Sequence, residues 1–392
     1  EYPYGCAEQI ASRVLATVAL RDVLTAFQAP GMPDAAAVTA AVGRDLKRLE
    51  ELQNDDGSFG FWTRGERPWP YLGVHVAHTL ARARQKDVAV PEALWNRSMA
   101  YVKAIERHLP ADYPESCRRM IRAYALYVRH VAGDRDLTGA RALLATGSLD
   151  ELGPEVAGWM LAVLAGDPGS AAQRAAIRGW LNNHATETAG AAHFAFSYRD
   201  ASYLVLHSNR RADAIVLEAL IAEERGSDLI PKLVRGLLDG RKRGMWTGTQ
   251  ENGFVLLALD RYFRVFEGVT PNFVARVWLG DRFAGEGRFA GRTTDRVETK
   301  VPMRALLDET AAVGKGLTIG KEGPGRLYYR IGMRYAPKSL DIAAADYGFE
   351  VRRTYEAVDK ASDVVRGADG VWTIKAGAKV RVRVTMVATT RR

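Results

Sequence analysis

Two side chains near the start of the chain could react with each other. Cys6 and Gln9 stand three positions apart at the front of a long amphipathic run. On a helix, positions i and i+3 share a face and can touch. A helix N-terminus adds unpaired backbone N–H groups and the positive end of the macrodipole, and both favour a thiolate over a thiol. A thiol, a carboxamide three residues away and nearby N–H donors are the parts of an internal thioester. In that bond the Cys6 sulfur replaces ammonia on the Gln9 side-chain carbonyl. The product is an acyl group open to attack by an outside amine or hydroxyl. The same spacing also fits a plainer pair, a small hydrophobe beside a surface amide.

The surrounding string carries more information than the spacing. Glu1-Tyr2-Pro3-Tyr4-Gly5-Cys6-Ala7-Glu8-Gln9 resembles the thioester signature of the α2-macroglobulin and complement family, in its bacterial form. The core of that signature is Gly-Cys-x-Glu-Gln, and Gly5, Cys6, Glu8 and Gln9 match it. The aromatic and proline run from Tyr2 to Tyr4 is typical of the bacterial branch. The resemblance implies a Cys6–Gln9 thioester, with Tyr4, Gly5 and Glu8 supporting it. It implies a broad-spectrum protease inhibitor. A protease cuts a bait segment elsewhere in the full-length protein, the molecule rearranges, and the Gln9 acyl group passes to the protease. Such a trap acts once and is not an enzyme. Until then, neighbouring domains shield the bond from water. The resemblance also implies a periplasmic or envelope location and a role in bacterial defence, with neither cofactor nor metal.

Several complement members first pass the acyl group to a histidine, which favours hydroxyl targets. The comparable stretch here, His108 to Ser116, departs from their pattern. His108 is expected at a helix end, helping the dipole. Lysine amines are therefore the expected targets. His75 and His78 have a metal-ligating spacing but lie on an apolar run without a third ligand, so they are expected in the core. Cys117 is expected as a buried filler, and a dyad with His130 has no local support. Asn54-Asp55-Asp56 before Gly57 is expected as a turn.

The chain has 392 residues, 47% hydrophobic and 26% charged, which suits a globular protein of two or three domains. No apolar run reaches the roughly 18–20 residues that span a bilayer. The net charge is +9, but the arginines are scattered, as at Arg118-Arg119, Arg210-Arg211, Arg241-Lys242-Arg243 and Arg352-Arg353. That reads as a solvated exterior and not as a nucleic-acid surface. The first residue already lies in a motif, so the chain is expected to begin mid-protein, and Arg391-Arg392 is expected to be a cut.

The elements that must position Cys6 and Gln9 are helical. Ile10, Val14, Leu15, Val18, Val23 and Leu24 recur at helical spacing, and Pro30-Gly31 stops the run. Asp34 is expected to cap the next helix, ending near Leu52. Further helices are expected over 70–86, 91–108, 114–132, 137–146, 154–165, 169–183, 200–207, 211–224, 229–239 and 249–264, with Pro91, Pro114 and Pro154 in first turns. Glycine- or aromatic-bearing loops at 53–62, 193–198 and 244–252 each precede an apolar helix. About twelve helices in hairpins, with these loops at one end, suggest an α/α toroid. Tyr71 to Leu80 and Phe254 to Leu259 would be inner helices. The first and last of these loops also resemble later landmarks of bacterial thioester domains. They are expected to pack the toroid and do no chemistry.

Near Thr270-Pro271 the period changes to two, with alternation at 273–279, 325–335, 349–355, 371–375 and 380–386. Val380, Val382, Val384 and Met386 face one way, as on an antiparallel sheet solvated on one side. The resemblance implies a thioester domain over 1–267, the returning half of a CUB β-sandwich over 268–337, and a truncated macroglobulin-like sandwich over 338–392. The missing first half of CUB would leave an unpaired strand edge, strained or pairing with a neighbour. Two other readings share the helical architecture. One is a terpene cyclase or prenyltransferase, which needs an acidic cluster facing a central cavity. The other is an inert helical interaction scaffold.

Overall fold

A computed structural model describes residues 5–27, 34–188, 190–292, 296–307, 316–336, 339 and 350–387, with backbone only for 22–27 and 35. Tyr4, Pro30, Gly31, Phe349 and the side chains of Val23 and Leu24 lie outside the described residues. The described residues divide into two compact units, up to Tyr328 and from Tyr329 onward.

The first unit opens with eleven α-helices: α1 (Ala7–Phe27), α2 (Ala35–Leu52), α3 (Pro70–Gln85), α4 (Glu92–Lys103), α5 (Glu115–Val131), α6 (Leu137–Leu144), α7 (Leu149–Leu164), α8 (Ala171–His184), α9 (Asn209–Glu223), α10 (Leu229–Asp239) and α11 (Thr249–Phe266). The odd-numbered helices form the inner ring. Each packs on the next odd one, and α11 closes back on α1. The even-numbered helices pack outside, α2 on α1, α4 on α3 and α5, α6 on α5 and α7, α8 on α7, α10 on α9. This is the α/α toroid that the hairpin pattern suggests.

The sequence explains which helices go inside. In α3 every residue from Pro70 to Ala81 is buried, and in α7 every residue from Leu152 to Leu164. A helix with no polar stripe can only be surrounded. Outer α10 keeps a buried stripe of Leu229, Ile230, Leu233, Gly236 and Leu237. Aromatic rings fill the centre. Tyr124 stacks on Trp159 with ring centres 4.4 Å apart, and His75 on Phe254 at 6.0 Å. Such rings each contribute on the order of 2–3 kcal/mol from buried area.

Caps and breaks follow local chemistry. Asp34 accepts from the Ala37 N–H at 2.6 Å, as expected of an N-cap. Pro91 and Pro114 stand just before α4 and α5, and Pro154 follows a kink at Gly153, whose φ is 78°. The helix expected over 200–207 is instead a 3₁₀ turn, Arg199–Val205. Arg199 at φ 52° and Leu206 at φ 46° break the α path on either side. Likewise α4 ends at Lys103, and His108 closes a separate 3₁₀ turn. Its ring lies against that of Tyr101, tilted by 35°, with its Nδ1 3.8 Å from the Asp56 carboxylate, so it caps no α-helix dipole.

A small hairpin, β1 (Thr186–Glu187) with β2 (Ala192–His193), sits between α8 and α9. After α11 come β3 (Asn272–Leu279), β4 (Arg282–Ala290), a short helix α12 (Met303–Leu307) and β5 (Leu317–Glu322). They form an antiparallel sheet ordered β4-β3-β5. The β3–β4 turn is two residues long and Gly280 takes φ 57° there. The strand expected over 325–335 is absent. Gly323 (φ 112°) and Gly325 (φ 105°) turn the chain out of the ladder. Alternating Tyr329, Ile331, Met333 and Tyr335 then lie exposed.

In the second unit, β6 (Glu350–Ala357) pairs antiparallel with β9 (Val380–Val387), and β7 (Val364–Arg366) with β8 (Trp372–Ile374). The sheet was expected to cover one face. Val382, Val384 and Met386 are instead exposed, as are Arg381, Arg383 and Thr385. Alternation sets which face is apolar, but burying it needs a second layer, and two two-stranded ladders do not supply one among the described residues.

Candidate functional site

Helix α1 begins with the Ile10 N–H donating to the Cys6 carbonyl, 3.0 Å. Cys6 is thus the N-cap and Gln9 the third helical residue. The Gln9 Oε1 accepts from the Cys6 backbone N–H at 3.2 Å. This is the return half of a capping box, in which the third residue reaches back to the cap. The cap side chain of such a box turns toward the third residue in exchange. The Gln9 carboxamide is therefore held at the Cys6 backbone by ordinary helix-start geometry.

The thiol does not ionise as the helix terminus alone suggests. Burial pushes the Cys6 pKa up. Backbone N–H groups of Gln9 and Glu8 pull it down, and the Glu8 carboxylate pushes it up again, with a net rise. The expectation of a favoured thiolate is corrected: desolvation and a neighbouring anion outweigh the backbone N–H donors.

The loop 53–69 anchors this turn. The Ala7 N–H donates to the Phe61 carbonyl (2.8 Å), and the Trp69 N–H to the Phe59 carbonyl (2.8 Å). Gly57 takes φ 86°, and a Cβ there would collide with the Arg97 carbonyl. Asn54 and Asp56 serve the turn, with Asp56 accepting from the Ser58 N–H at 3.0 Å. Trp69 Nε1 donates to the Leu204 carbonyl at 2.9 Å, tying this loop to the one before α9.

Glu8 is buried and faces the ring. Ser12 Oγ donates to it at 2.7 Å, and Thr249 Oγ1, at the first residue of α11, lies 2.8 and 2.9 Å from its two oxygens. The loop before α11, expected only to pack, thus reaches the motif directly. An open groove of about 310 Å³ runs beside Gln9, lined by Gly5, Ser12, Arg13, Ala16, Thr249 and Asn252.

His75 and His78 lie in the core on α3, both fully buried. Burial, with Arg211, holds His75 down to about 3; burial, with Arg82 and His75, holds His78 well below its ordinary value. Both imidazoles are neutral, so their hydrogen bonds can be ordered from the fixed donor. Arg82 Nε only donates, so His78 Nε2 accepts (3.1 Å). His78 then carries its proton on Nδ1 and donates to the Tyr124 hydroxyl (2.9 Å). Tyr124 donates to His75 Nδ1 (3.1 Å), and His75 Nε2 donates to Ser12 Oγ (2.9 Å). The chain runs one way, from Arg82 to Glu8. Nothing in the sequence links these residues except that each is polar within an apolar run.

A second buried cluster holds the same end of the ring. Arg211, fully buried, donates to Glu155 (2.7 Å), to the Tyr71 hydroxyl (2.6 Å), to Gln250 Oε1 (2.8 Å) and to the carbonyls of Val205 and Leu206. Burial pushes the Glu155 carboxyl up, but Arg211 and His207 hold it below its ordinary range. Cys117 is buried away from Cys6, its Sγ 3.7 Å from the Ala201 carbonyl. Among the described residues no three metal-ligating side chains converge, and no helix is long and apolar enough to cross a membrane.

A closed ring of helix hairpins, with odd-numbered helices inside and even-numbered ones outside, defines an α/α toroid. No protein-family model matches the chain. It is 25% identical over 74% of its length to "Alpha-2-macroglobulin homolog" of Nostoc, and 21% identical over 97% to "Circularly permutated Ras protein 2" of Dictyostelium discoideum. It spans 15% and 12% of those relatives. Among solved structures it is similar to Salmonella alpha-2-macroglobulin reacted with methylamine (TM-score 0.56, 20% identity, 99% of this chain, 23% of that one). It is similar to trypsin-activated Escherichia coli alpha-2-macroglobulin (0.60, 17%, 91% and 23%). It also matches native E. coli alpha-2-macroglobulin from domain MG7 to the C-terminus (0.55, 19%, 92% and 52%). The chain is thus similar in sequence and in fold to a part of bacterial alpha-2-macroglobulins.

Proposed function

We propose that Cys6 and Gln9 form an internal thioester and that the chain is the covalent arm of a bacterial protease trap. The observation that carries this is the Gln9 carboxamide folded back onto Cys6 at the mouth of the toroid, with an open groove alongside. Supporting it, a protein of the same fold reacts with methylamine, and another is activated by trypsin. On this reading a target protease attacks through a lysine amine after bait cleavage elsewhere in the full-length molecule. The remaining domains shield the bond before that. The event happens once per molecule, outside the cytoplasm, in the periplasm or envelope. Residues 1–267 are the thioester domain, 268–337 the returning half of CUB, and 338–392 part of a macroglobulin-like domain. The burial-raised thiol fits this use, since a sulfur held in an uncharged bond loses nothing by sitting away from water.

The cyclase reading asks for an open acidic cavity. The ring centre here holds Tyr71, His75, Tyr124, Trp159 and Phe254 in mutual contact. The test is intact mass of the undenatured full-length protein, expected to fall short of the sequence mass by one ammonia. Methylamine should abolish the shortfall and release one thiol, and glycerol should act more slowly. A freely titratable Cys6 in untreated protein overturns the proposal, and faster capture of glycerol overturns the amine preference.

A further inference from the structure

We propose that Thr249 is the proton-transfer residue of this site, passing the proton of an attacking amine to Glu8. The assignment rests on the thioester reading above and deepens it. Thr249 borders the groove beside Gln9, where a nucleophile must enter, and its hydroxyl lies 2.8 and 2.9 Å from the two Glu8 oxygens. A hydroxyl has one proton and two lone pairs, so Thr249 can accept from an amine while donating to Glu8.

The other hydroxyl on Glu8 is committed. Ser12 accepts a hydrogen bond from His75 Nε2 and donates one to Glu8, and the chain behind it runs through Tyr124 and His78 to Arg82. Arg82 is itself held by Glu218 and Tyr127. This one-way chain presents only donors to Glu8 from the ring side. It orients the carboxylate and leaves the groove side, through Thr249, as the route for an incoming proton.

The step balances. The amine nitrogen bonds to the Gln9 side-chain carbonyl carbon, and the bond from that carbon to the Cys6 sulfur breaks. The nitrogen gives one proton to Thr249, whose own proton passes to Glu8. Glu8 then gives that proton up to the departing sulfur. Thioester and amine become amide and thiol, with no net proton gained or lost. General base assistance of this kind is worth a factor of about 10²–10⁴.

The test uses full-length protein with Thr249→Val and Thr249→Ser. Intact mass reports whether the bond has formed, and thiol release on methylamine addition reports its opening. Thr249→Val should retain the one-ammonia shortfall and react at least about tenfold more slowly than the parent, while Thr249→Ser should react within about threefold of it. Rescue by serine is what a purely packing role would not show, because serine lacks the methyl group. The assignment is overturned if the valine variant reacts at the parental rate, if serine fails to rescue, or if the valine variant never forms the bond. A parent protein without the shortfall sinks the thioester reading instead, and this assignment with it.

Discussion

Replacing Arg211 by methionine should cost more stability than any other single change in the buried cluster around it. Arg211 is fully buried and donates to Glu155, Tyr71, Gln250 and two backbone carbonyls. Methionine fills similar space but leaves the buried Glu155 carboxylate with His207, 3.1 Å away, as its remaining charged partner. Breaking one side of a buried ion pair costs about 3–5 kcal/mol. Total stability of a domain is about 5–15 kcal/mol. For a domain of this size each kcal/mol moves Tm by about 2–4 °C, so a fall of roughly 6–20 °C is expected. The assay is thermal and urea unfolding of the parent, Arg211→Met, Glu155→Leu and the double variant. The double variant removes both charges and should recover most of the loss, since a hydrophobic replacement of a buried pair is often neutral. A single-variant loss below about 1 kcal/mol, or a double variant no better than Arg211→Met, would refute the reasoning.

Three further outcomes can be checked. Burial raises Asp213 from 3.8 to about 7, against the Phe194 N–H and Arg210, which pull it down. The folded state therefore binds this proton more tightly than the unfolded chain, so its contribution to stability is lost as pH rises from roughly 4 to 7. The gap corresponds to at most about 4 kcal/mol. Asp213→Asn should flatten that slope in urea midpoints measured across the range, and an unchanged slope would contradict it. Gly57→Ala places a Cβ at φ 86° against the Arg97 carbonyl and should cost at least about 2 kcal/mol by urea unfolding. Cys117→Ala should cost about 1 kcal/mol yet leave the yield of one methylamine-released thiol unchanged; loss of that thiol would assign the reactive sulfur to Cys117.

Much of the toroid was legible because helix burial leaves a periodic trace. Ile10 to Val18, the Asp34 cap and the unbroken apolar run of α3 read directly from residue type and spacing. The turn at 199–205 did not, because two left-handed residues that are not glycine leave no compositional sign. Strands β4 and β5 were missed for a related reason. Arg282–Ala290 and Leu317–Glu322 are mostly polar or glycine-bearing, and their pairing is set by β3. At 325–335 the opposite error arose, since alternation states a preference that only a neighbouring strand can satisfy. The bond from the Cys6 N–H to Gln9 is local and follows from spacing at a helix start. The sign of the Cys6 pKa was not legible, because burial is a property of the whole ring. Thr249, Ser12 and Arg211 were invisible as a set, being joined to their partners across the fold.

Closure of the ring has a bearing on how the protein is made. Thr249 meets Glu8 across 241 positions of sequence, and α11 is the helix that seals the circle against α1. The ribosome releases the front of this segment long before the helix that completes its surroundings. Any chemistry at Gln9 that depends on a finished enclosure is thereby postponed until the polypeptide has folded through to its last hairpin.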